Sequence, residues 1–452
     1  MTRHFAICPR GLEAALADEL ASLGAAAIAT AAGGVAFDAD TRVAYAINLW
    51  SRLASRVLRQ VGQARYRNDD DLYKLAARTP WETWIGPRHT LRVDVNAHRA
   101  AVRSLNFATL RIKDGIVDRL RQRDGERPSI DTRTPDVRVF GFLDERLLTL
   151  YVDLSGEPLF KRGWRDAGAH ADDGDVKGAA PLKEHLAAGL LALSGWTPDV
   201  PLYDPFCGSG TILVEAAQRA LGLAPGHARH FGFEVLRDFD AATWQSVRGQ
   251  PSPVAHEPPQ STAAVPSALP AANGAAPAVL RLAGSDIDAD AIAQTRRNLM
   301  RAGLTDAQAA SVRTRQVDFA DAPPPFDEPG IVLCNPPYGE RLAVRGPAPG
   351  ARRPGSGGFG GSGGFSGSGA ARDPGRGAGA RVRDARPAGD DMARFADHLK
   401  RHYRGWKICM LTADLSLPRQ LGLKERRKTP LFNGPLECRL FVFEIYAEAD
   451  AR

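Results

Sequence analysis

The segment IVLCNPPYGERL (residues 331–342) combines an amide, two prolines and a tyrosine after four apolar residues. Consecutive prolines cannot continue a central strand, because each lacks the N–H that the ladder requires. A strand that ends here presents four residues at its carboxyl end: Asn335, Pro336, Pro337 and Tyr338. The Asn335 side-chain oxygen and the Pro336 carbonyl can accept both N–H bonds of an exocyclic amine, which directs the nitrogen lone pair at an electrophilic group. Tyr338 can stack on a base.

A second segment, DPFCGSGT (residues 204–211), lies between a predicted strand and a predicted helix. Gly208 and Gly210 let the backbone approach a ligand, and the helix start leaves N–H groups unpaired. A phosphate site is disfavoured, because no Lys-Ser/Thr pair follows and Asp204 would repel a diphosphate. A carboxylate suits a cationic ligand such as the ammonium of a methionine moiety. S-adenosyl-L-methionine fits, since it carries an ammonium and a sulfonium but no phosphate.

Two further acids follow the next two predicted strands. Asp286 in GSDID can accept hydrogen bonds from ribose hydroxyls, as in dinucleotide folds. Asp288 competes for that role, or it caps the following helix. Asp318 in VDFAD can accept a hydrogen bond from an adenine amino group, or it is a surface acid. Together with Asp204, they give three carboxyl-end acids in chain order, which predicts a cofactor site.

The elements that must position these residues alternate between strand and helix from about residue 180 onward. Such alternation predicts parallel strands with crossover helices in an open α/β sheet. The predicted order ends in a hairpin around Asn433-Gly434, so an antiparallel edge closes the sheet.

The first 175 residues have a different pattern, typical of an α+β region. Residues 5–24 predict a strand and an amphipathic helix, and residues 33–40 a further strand. Residues 41–61 predict a long helix that leads into a strand. Additional strands are predicted in 90–98 and 128–156.

Composition limits the class of protein. The 452 residues are enough for two or three domains, and 44% hydrophobic content is enough for sizeable cores. Absence of a long apolar run or a leader-like start predicts a protein that is neither membrane-bound nor exported, hence cytoplasmic. Five scattered cysteines without a CxxC pair argue against a disulfide framework and a zinc site, so no metal is expected. The net charge of +7 permits nucleic-acid binding without establishing it.

Two low-complexity stretches interrupt the α/β region. Residues 249–280 are rich in Pro, Ala and Ser, and residues 345–389 in Gly, Ser and Arg. Neither has the apolar periodicity of a folded element, so both are interpreted as inserted loops. The second is either a flexible spacer or an Arg/Gly/Phe arm that contacts RNA.

The motifs DPFCGSGT, GSDID, VDF and CNPPYGERL resemble those of class I methyltransferases that act on amino groups. The segments DTRTPDVRVFG and YVDLSGEPLFKRGWR resemble the end of a THUMP RNA-binding domain and its junction with the enzyme. Together with APLKEHLAAGLLALSGW and RRKTPLFNGPLECRLFVFE, they are similar to the RlmL-type ribosomal RNA guanine-N2 methyltransferases, in a form with one methyltransferase domain. The resemblance covers most of residues 1–447.

This resemblance implies a Rossmann-like α/β class I methyltransferase domain, mostly parallel with an antiparallel terminal hairpin, preceded by an α+β ferredoxin-like/THUMP region. The implied domains are a ferredoxin-like subdomain (1–55), a THUMP domain (56–157), a linker (158–178) and the methyltransferase domain (179–447). The implied target-base residues are Asn335, Pro336, Pro337 and Tyr338. The implied residues for S-adenosyl-L-methionine are Pro181, Asp204, Phe206, Gly208, Gly210, Thr211, Asp286, Ile287, Asp318, Phe319 and Asn335.

The expected reaction is methyl transfer to the exocyclic N2 of a guanine in 23S ribosomal RNA or a large-subunit assembly intermediate. A transfer-RNA guanine is the alternative substrate, since THUMP domains occur in enzymes of both kinds. Asn-Pro-Pro-Tyr also occurs in adenine-N6 DNA and protein-glutamine methyltransferases. A catalytically inactive ribosome-assembly factor remains a further alternative, whereas an oxidoreductase is disfavoured by Asp204.

Overall fold

The computed structural model describes residues 1–165, 182–251, 279–336 and 388–446, with side chains in the last range from residue 392 onward. These residues form two seven-stranded sheets. Nearly all of both predicted inserts, and most of the predicted linker 158–178, lie outside the described residues. No helix among the described residues is long and apolar enough to cross a membrane.

The first sheet has the strand order β2-β3-β1-β4-β7-β6-β5. Its strands are β1 (Thr2–Ile7), β2 (Ala26–Ala31), β3 (Gly34–Ala39), β4 (Arg56–Arg65), β5 (Leu91–His98), β6 (Val137–Asp144) and β7 (Leu147–Asp153). Its helices are α1 (Glu13–Ser22), α2 (Thr41–Trp50), α3 (Asp69–Arg78) and α4 (Leu105–Asp124). Strand β4 pairs antiparallel with β1 on one side and β7 on the other, so one continuous sheet runs through the whole front region.

The second sheet has the order β10-β9-β8-β11-β12-β14-β13. Its strands are β8 (Leu202–Asp204), β9 (Leu282–Asp286), β10 (Arg313–Gln316), β11 (Ile331–Cys334), β12 (Lys407–Thr412), β13 (Arg427–Asn433) and β14 (Leu436–Glu444). Its helices are α5 (Glu184–Ser194), α6 (Thr211–Ala220), α7 (Ala241–Arg248), α8 (Ala289–Arg301), α9 (Asp306–Ser311), α10 (Ala388–His402) and α11 (Leu417–Leu421). The first five strands in this order are parallel, and β14 and β13 are antiparallel.

The predicted α/β sheet with an antiparallel terminal hairpin is confirmed, as is the α+β front region. The helix predicted in 41–61 and the strand that follows it are both present, but the helix is shorter than predicted: α2 ends at Trp50, and β4 begins at Arg56. The hairpin is present, but Asn433 pairs with Leu436, so the two-residue loop is Gly434-Pro435 instead of Asn433-Gly434. Strand β2 and helices α3 and α4 were missed. Strand β2 is mostly exposed and has little alternation of apolar and polar residues, so its sequence does not indicate a strand.

A buried ionic cluster joins the front region to the second sheet. Glu215 of α6 is fully buried and accepts from Arg162 Nε at 3.1 Å and Arg52 Nη1 at 3.4 Å. The Arg162 guanidinium also donates to the carbonyls of Leu159 and Arg52. Arg52 Nη2 donates to the Leu223 carbonyl at 2.6 Å. Each cation therefore has a counter-charge and at least one further acceptor, which a buried charge needs in order to be tolerated.

Aromatic packing extends the same junction. The Tyr45 ring of α2 stacks on Phe233 with centroids 4.0 Å apart, and Trp244 of α7 packs edge-on against Phe233. The Tyr45 hydroxyl accepts from the Asp240 N–H at 3.1 Å. The segment after α6 thus packs on the front region by apolar burial as well as by ion pairs.

We expect Glu215→Gln to reduce the free energy of unfolding by about 3 kcal/mol, since it leaves two buried guanidinium groups without a carboxylate. The matched control is Glu444→Gln, which breaks an exposed pair with Arg426 and costs less than about 1 kcal/mol. Urea titration of both variants measures the difference. Equal losses in the two variants would contradict this role for the buried cluster.

Candidate functional site

The strand order places the predicted site residues at one edge of the second sheet. Strands β8 and β11 are parallel neighbours, and the chain proceeds from β8 through β9 to β10 on one side and from β11 to β12 on the other. The order reverses between β8 and β11, and open α/β sheets bind ligands at the strand carboxyl ends beside such a reversal. Asp204 is the last residue of β8 and Asn335 directly follows β11, so these two residues flank the reversal.

Two glycines in left-handed conformations shape the loop after β8. Gly208 has φ 54° and Gly210 has φ 80°, where a side chain would be strained. A Cβ on Gly210 would also lie 2.7 Å from Thr295 Cγ2. Thr211 begins α6 directly after Gly210. The loop therefore exposes backbone to a ligand in front of a helix start.

Side chains of α8 and β9 hold this loop in place. Thr295 Oγ1 donates to the Gly208 carbonyl at 2.8 Å, and Asn298 Nδ2 donates to the Ser209 carbonyl at 2.8 Å. The Gly208 N–H donates to Asp286 Oδ2 at 3.0 Å. Sequence reasoning missed Thr295 and Asn298. Their spacing on one face of a predicted helix was the available signal.

Asp204 is a buried carboxylate with few local partners. Among the described residues, it accepts one hydrogen bond, from the Phe206 N–H at 3.1 Å, and forms no ion pair. Burial raises the pKa of Asp204 to about 8, and the neighbouring Asp286 carboxylate adds to the rise, whereas the Phe206 N–H opposes it. A cationic group placed beside Asp204 would offset this cost.

The end of β9 contributes Asp286 and the two residues after it. Asp286 is buried, and its Oδ1 accepts from the Asp288 N–H at 3.1 Å while Oδ2 accepts from Gly208. Asp288 caps α8 by accepting from the Asp290 N–H, which supports the capping alternative for this residue. Ile287 is 46% exposed at the same edge, so its apolar side chain is available to an apolar ligand surface.

Aromatic residues that follow β8 and β10 pack against each other. The Phe319 ring is 4.9 Å from Phe206 and 5.1 Å from Phe395 of α10, between centroids. Asp318 Oδ1 accepts from the Ala320 N–H at 2.9 Å, so it stabilises the turn after β10. Phe395 was not predicted from the sequence. The structure thus brings Phe206, Asp318 and Phe319 to the same edge.

Asn335 is half-buried at the end of β11, and Pro336 is buried. Within the described part of the chain, no hydrogen bond engages the Asn335 side chain. Three other predicted site residues, Pro181, Pro337 and Tyr338, lie outside the described residues, and their roles stay predictions.

Arg165 links the front region to the loop and was missed by sequence reasoning. Its Nη2 donates to Thr211 Oγ1 at 2.6 Å and to the Leu182 carbonyl at 3.0 Å. Its Nε lies 2.6 Å from Glu184 Oε1, and both side chains are buried. One guanidinium therefore connects the starts of α5 and α6.

These residues fit S-adenosyl-L-methionine. The glycine turn leaves space for the amino-acid end, and Asp204 is a buried carboxylate suited to an ammonium. Asp286 lies where a ribose is bound in related sheets, and Ile287 presents an apolar surface. No diphosphate would be favoured beside two buried carboxylates.

Three domain families match the chain. Residues 3–58 match the RlmL ferredoxin-like domain, residues 66–153 the THUMP domain, and residues 174–347 the RMKL-like methyltransferase domain. A Synechocystis sp. protein, provisionally named as an RNA methyltransferase, is 32% identical over 444 residues, with 98% of this chain and 97% of the relative covered.

The chain belongs to the THUMP-containing, RMKL-like methyltransferase family.

This family assignment confirms the resemblance and the fold class predicted from the motifs. S-adenosyl-L-methionine is the methyl donor of the family. The ribosomal RNA large subunit methyltransferase K/L of Syntrophotalea carbinolica is 34% identical over 449 residues, covering 98% of this chain and 53% of the relative. That of Methylococcus capsulatus is 33% identical, with 99% and 52% covered. The chain spans about half the length of these K/L relatives.

Solved structures share the fold of this family member across its length. SMU.472, crystallised in complex with SAH, has a TM-score of 0.73 at 23% identity, covering 99% of this chain and 98% of that one. A predicted N6-adenine-specific DNA methylase of Listeria monocytogenes has a TM-score of 0.72 at 26% identity, covering 98% and 96%.

Replacing Asp204 by Asn should weaken S-adenosyl-L-methionine binding by about 10- to 100-fold, because a charge-assisted hydrogen bond is lost. The same change should stabilise the cofactor-free protein near pH 8. The folded state of the wild type retains a proton on Asp204 up to about pH 8, whereas an unfolded aspartate releases it near pH 4. Stability of the wild type therefore falls as pH rises between these values.

Urea unfolding at about pH 5 and about pH 8, together with calorimetric titration of the cofactor, measures both effects. The Asn variant should gain roughly 1–3 kcal/mol over the wild type near pH 8 and much less near pH 5. Asp321→Asn, at an exposed acid near the same edge, is the control and should change neither quantity. A variant that binds the cofactor like the wild type would contradict this role for Asp204.

Proposed function

We propose that this family member transfers a methyl group from S-adenosyl-L-methionine to the exocyclic N2 of a guanine in 23S ribosomal RNA, acting in the cytoplasm on the RNA or on a large-subunit assembly intermediate. The observation that carries the proposal is the pair Asp204 and Asn335, which flank the reversal of strand order. The names of the K/L relatives support ribosomal RNA as substrate.

The chain's own groups position the amine. The Asn335 side-chain oxygen accepts one amine N–H and the Pro336 carbonyl accepts the other, so the nitrogen lone pair points toward the cofactor side of the crevice. Bound S-adenosyl-L-methionine supplies an electrophilic methyl group. No strong general base is needed, because the extra proton of the methylated nitrogen can leave to water. Pro337 would stiffen the backbone, and Tyr338 would stack on the base.

Asp204 and the loop glycines would hold the methionine end of the cofactor beside Phe206 and Thr211. Asp286 would accept from the ribose, with Ile287 packed on the cofactor, and Asp318 with Phe319 would border the adenine. The resemblance also assigns Pro181, which precedes α5 in the chain, to the cofactor side. These assignments derive from the strand-end positions and from the motif resemblance.

A cationic cavity in the front region supports an RNA substrate. The cavity of about 750 Å³ lies between β4 and α3. Its walls carry one acid, Asp71, and five exposed cations: Arg65, Arg67, Lys74, Arg78 and Arg146. Such a concentration of cations favours a phosphate backbone.

Asn335→Ala should abolish methyl transfer while cofactor affinity changes by less than about threefold, because Asn335 acts on the amine and not on the methionine end. Transfer is measured with radiolabelled S-adenosyl-L-methionine and ribosomal RNA, and affinity by calorimetric titration. Asn335→Asp is the matched variant: it keeps one acceptor oxygen and should retain partial activity. Wild-type transfer by the Ala variant would contradict the assignment.

The methylated product distinguishes the substrates. Digestion of the labelled RNA followed by mass spectrometry should give N2-methylguanosine. Transfer only to transfer RNA would support the alternative substrate, and N6-methyladenosine would contradict the guanine assignment. Absence of transfer by a protein that binds both RNA and cofactor would favour the inactive assembly factor.

Arg67→Ala combined with Arg146→Ala should weaken RNA binding about tenfold, uniformly across RNA sequences, and should reduce the slope of log affinity against log salt by about 1–2. Filter binding at several salt concentrations measures both. Arg297→Ala removes an exposed cation from α8 and serves as the control. An unchanged salt slope in the double variant would contradict phosphate binding in this cavity.

A further inference from the structure

A second cavity, of about 440 Å³, lies where the front region, the chain before α5 and the terminal hairpin meet. Cys8 and Arg10 line it from the front region, Phe160 and Lys183 from the approach to α5, and Phe432 from the hairpin. The cavity is separate from the crevice between β8 and β11, since none of the strand-end residues described above lines it.

Its walls combine cations with aromatic faces. Lys183 Nζ lies 5.2 Å from the Phe160 ring centroid, and the Arg10 guanidinium carbon lies 6.0 Å from that of Phe432. None of the twelve described residues that line the cavity is acidic. Aromatic faces with adjacent cations are the combination that binds a single-stranded nucleotide, with its base stacked and its phosphate paired.

Two buried polar side chains in the lining lack a partner among the described residues. His185 is 5% exposed and Asn433 is 4% exposed. Neither His185 Nδ1 nor Asn433 Oδ1 has a hydrogen-bond partner among the described residues. Burial lowers the pKa of His185 to about 3, so the imidazole is neutral. Buried polar atoms without partners are uncommon in a folded protein, and base edges could supply the missing bonds.

The cavity lies at the edge of the second sheet formed by the strand carboxyl ends, the edge that carries Asp204 and Asn335. Strand β12 ends at Thr412, which pairs with Arg439 of β14, so the hairpin loop before Leu436 projects beyond that carboxyl end. On the α5 side of the cavity, Lys183 follows Leu182 in the chain. Arg165 donates both to the Leu182 carbonyl and to Thr211 at the glycine loop, so it connects this side of the cavity to that loop.

We propose that this cavity binds a nucleotide of the substrate RNA other than the one methylated, with its phosphate on Arg10 and Lys183 and its base between Phe160 and Phe432. The subsite rests on the proposed function, because it extends the path of the RNA from the front region to the methyl-transfer crevice. It would give the enzyme a contact with sequence flanking the target, through His185 and Asn433.

Arg10→Glu and Phe432→Leu test this subsite. Arg10 is exposed and Leu preserves apolar packing, so both variants should fold. Each should weaken binding of a short fluorescein-labelled single-stranded RNA by roughly five- to tenfold in fluorescence anisotropy. Affinity for S-adenosyl-L-methionine, measured by calorimetry, should stay within about twofold of wild type. Arg42→Glu makes the same charge change on an exposed residue of the front region outside the cavity and should leave RNA affinity unchanged.

Guanosine monophosphate serves as competitor and separates an RNA subsite from a free-nucleotide site. The proposal predicts that it does not displace the RNA. Displacement that depends on Arg10 would instead identify a mononucleotide site and overturn the proposal. Wild-type RNA affinity in both variants would overturn the proposed subsite but not the proposed methyl transfer. A loss of cofactor affinity that parallels the loss of RNA affinity would also overturn the subsite. If wild-type protein neither binds nor methylates RNA, the proposed function itself fails.

Discussion

The reversal of strand order between β8 and β11 is the constraint on which the site depends. Because the crossovers from these two neighbours run in opposite directions, the carboxyl ends of β8 and β11 border the kind of crevice in which open α/β sheets bind ligands. Asp204 and Asn335 reach this edge from opposite sides. The buried strands set the positions of both residues, while the glycine turn at Gly208 and Gly210 keeps the edge open to a ligand.

Buried ionisable side chains connect this crevice to the front region. Burial of Asp204 makes the folded protein retain a proton that the unfolded chain releases, so stability falls as pH rises from about 4 to about 8. Glu215 lies about one turn beyond the glycine loop and forms ion pairs with Arg52 of the front region and with Arg162, which follows β7. Arg165 then joins Thr211 to the start of α5. The region that carries the cationic cavity is thereby fixed to α6, the helix that begins at the glycine loop.

The positions of Asp204, Asp286 and Asn335 at strand ends were predictable from sequence, because turn residues and acids follow short apolar runs. The residues that hold the glycine loop in place could not be predicted from sequence. Thr295 and Asn298 look like ordinary helix residues until tertiary packing places them on the glycine loop. Phe395 joins the site across a long stretch of chain. Strand β2 lacked alternation, and the extent of α2 was overestimated because apolar residues continue past Trp50 into β4. Hairpin position was predictable to within one residue, since Asn433-Gly434 and Gly434-Pro435 are both turn-forming pairs.

We propose that Asp204 and Asn335 hold the two reactants on either side of one crevice. A crystal structure of the protein with S-adenosyl-L-methionine bound tests it most directly. We expect the cofactor ammonium within hydrogen-bonding distance of the Asp204 carboxylate, the ribose beside Asp286 and the methyl group facing Asn335. A cofactor bound elsewhere, or bound here with its methyl group directed away from Asn335, would contradict the account.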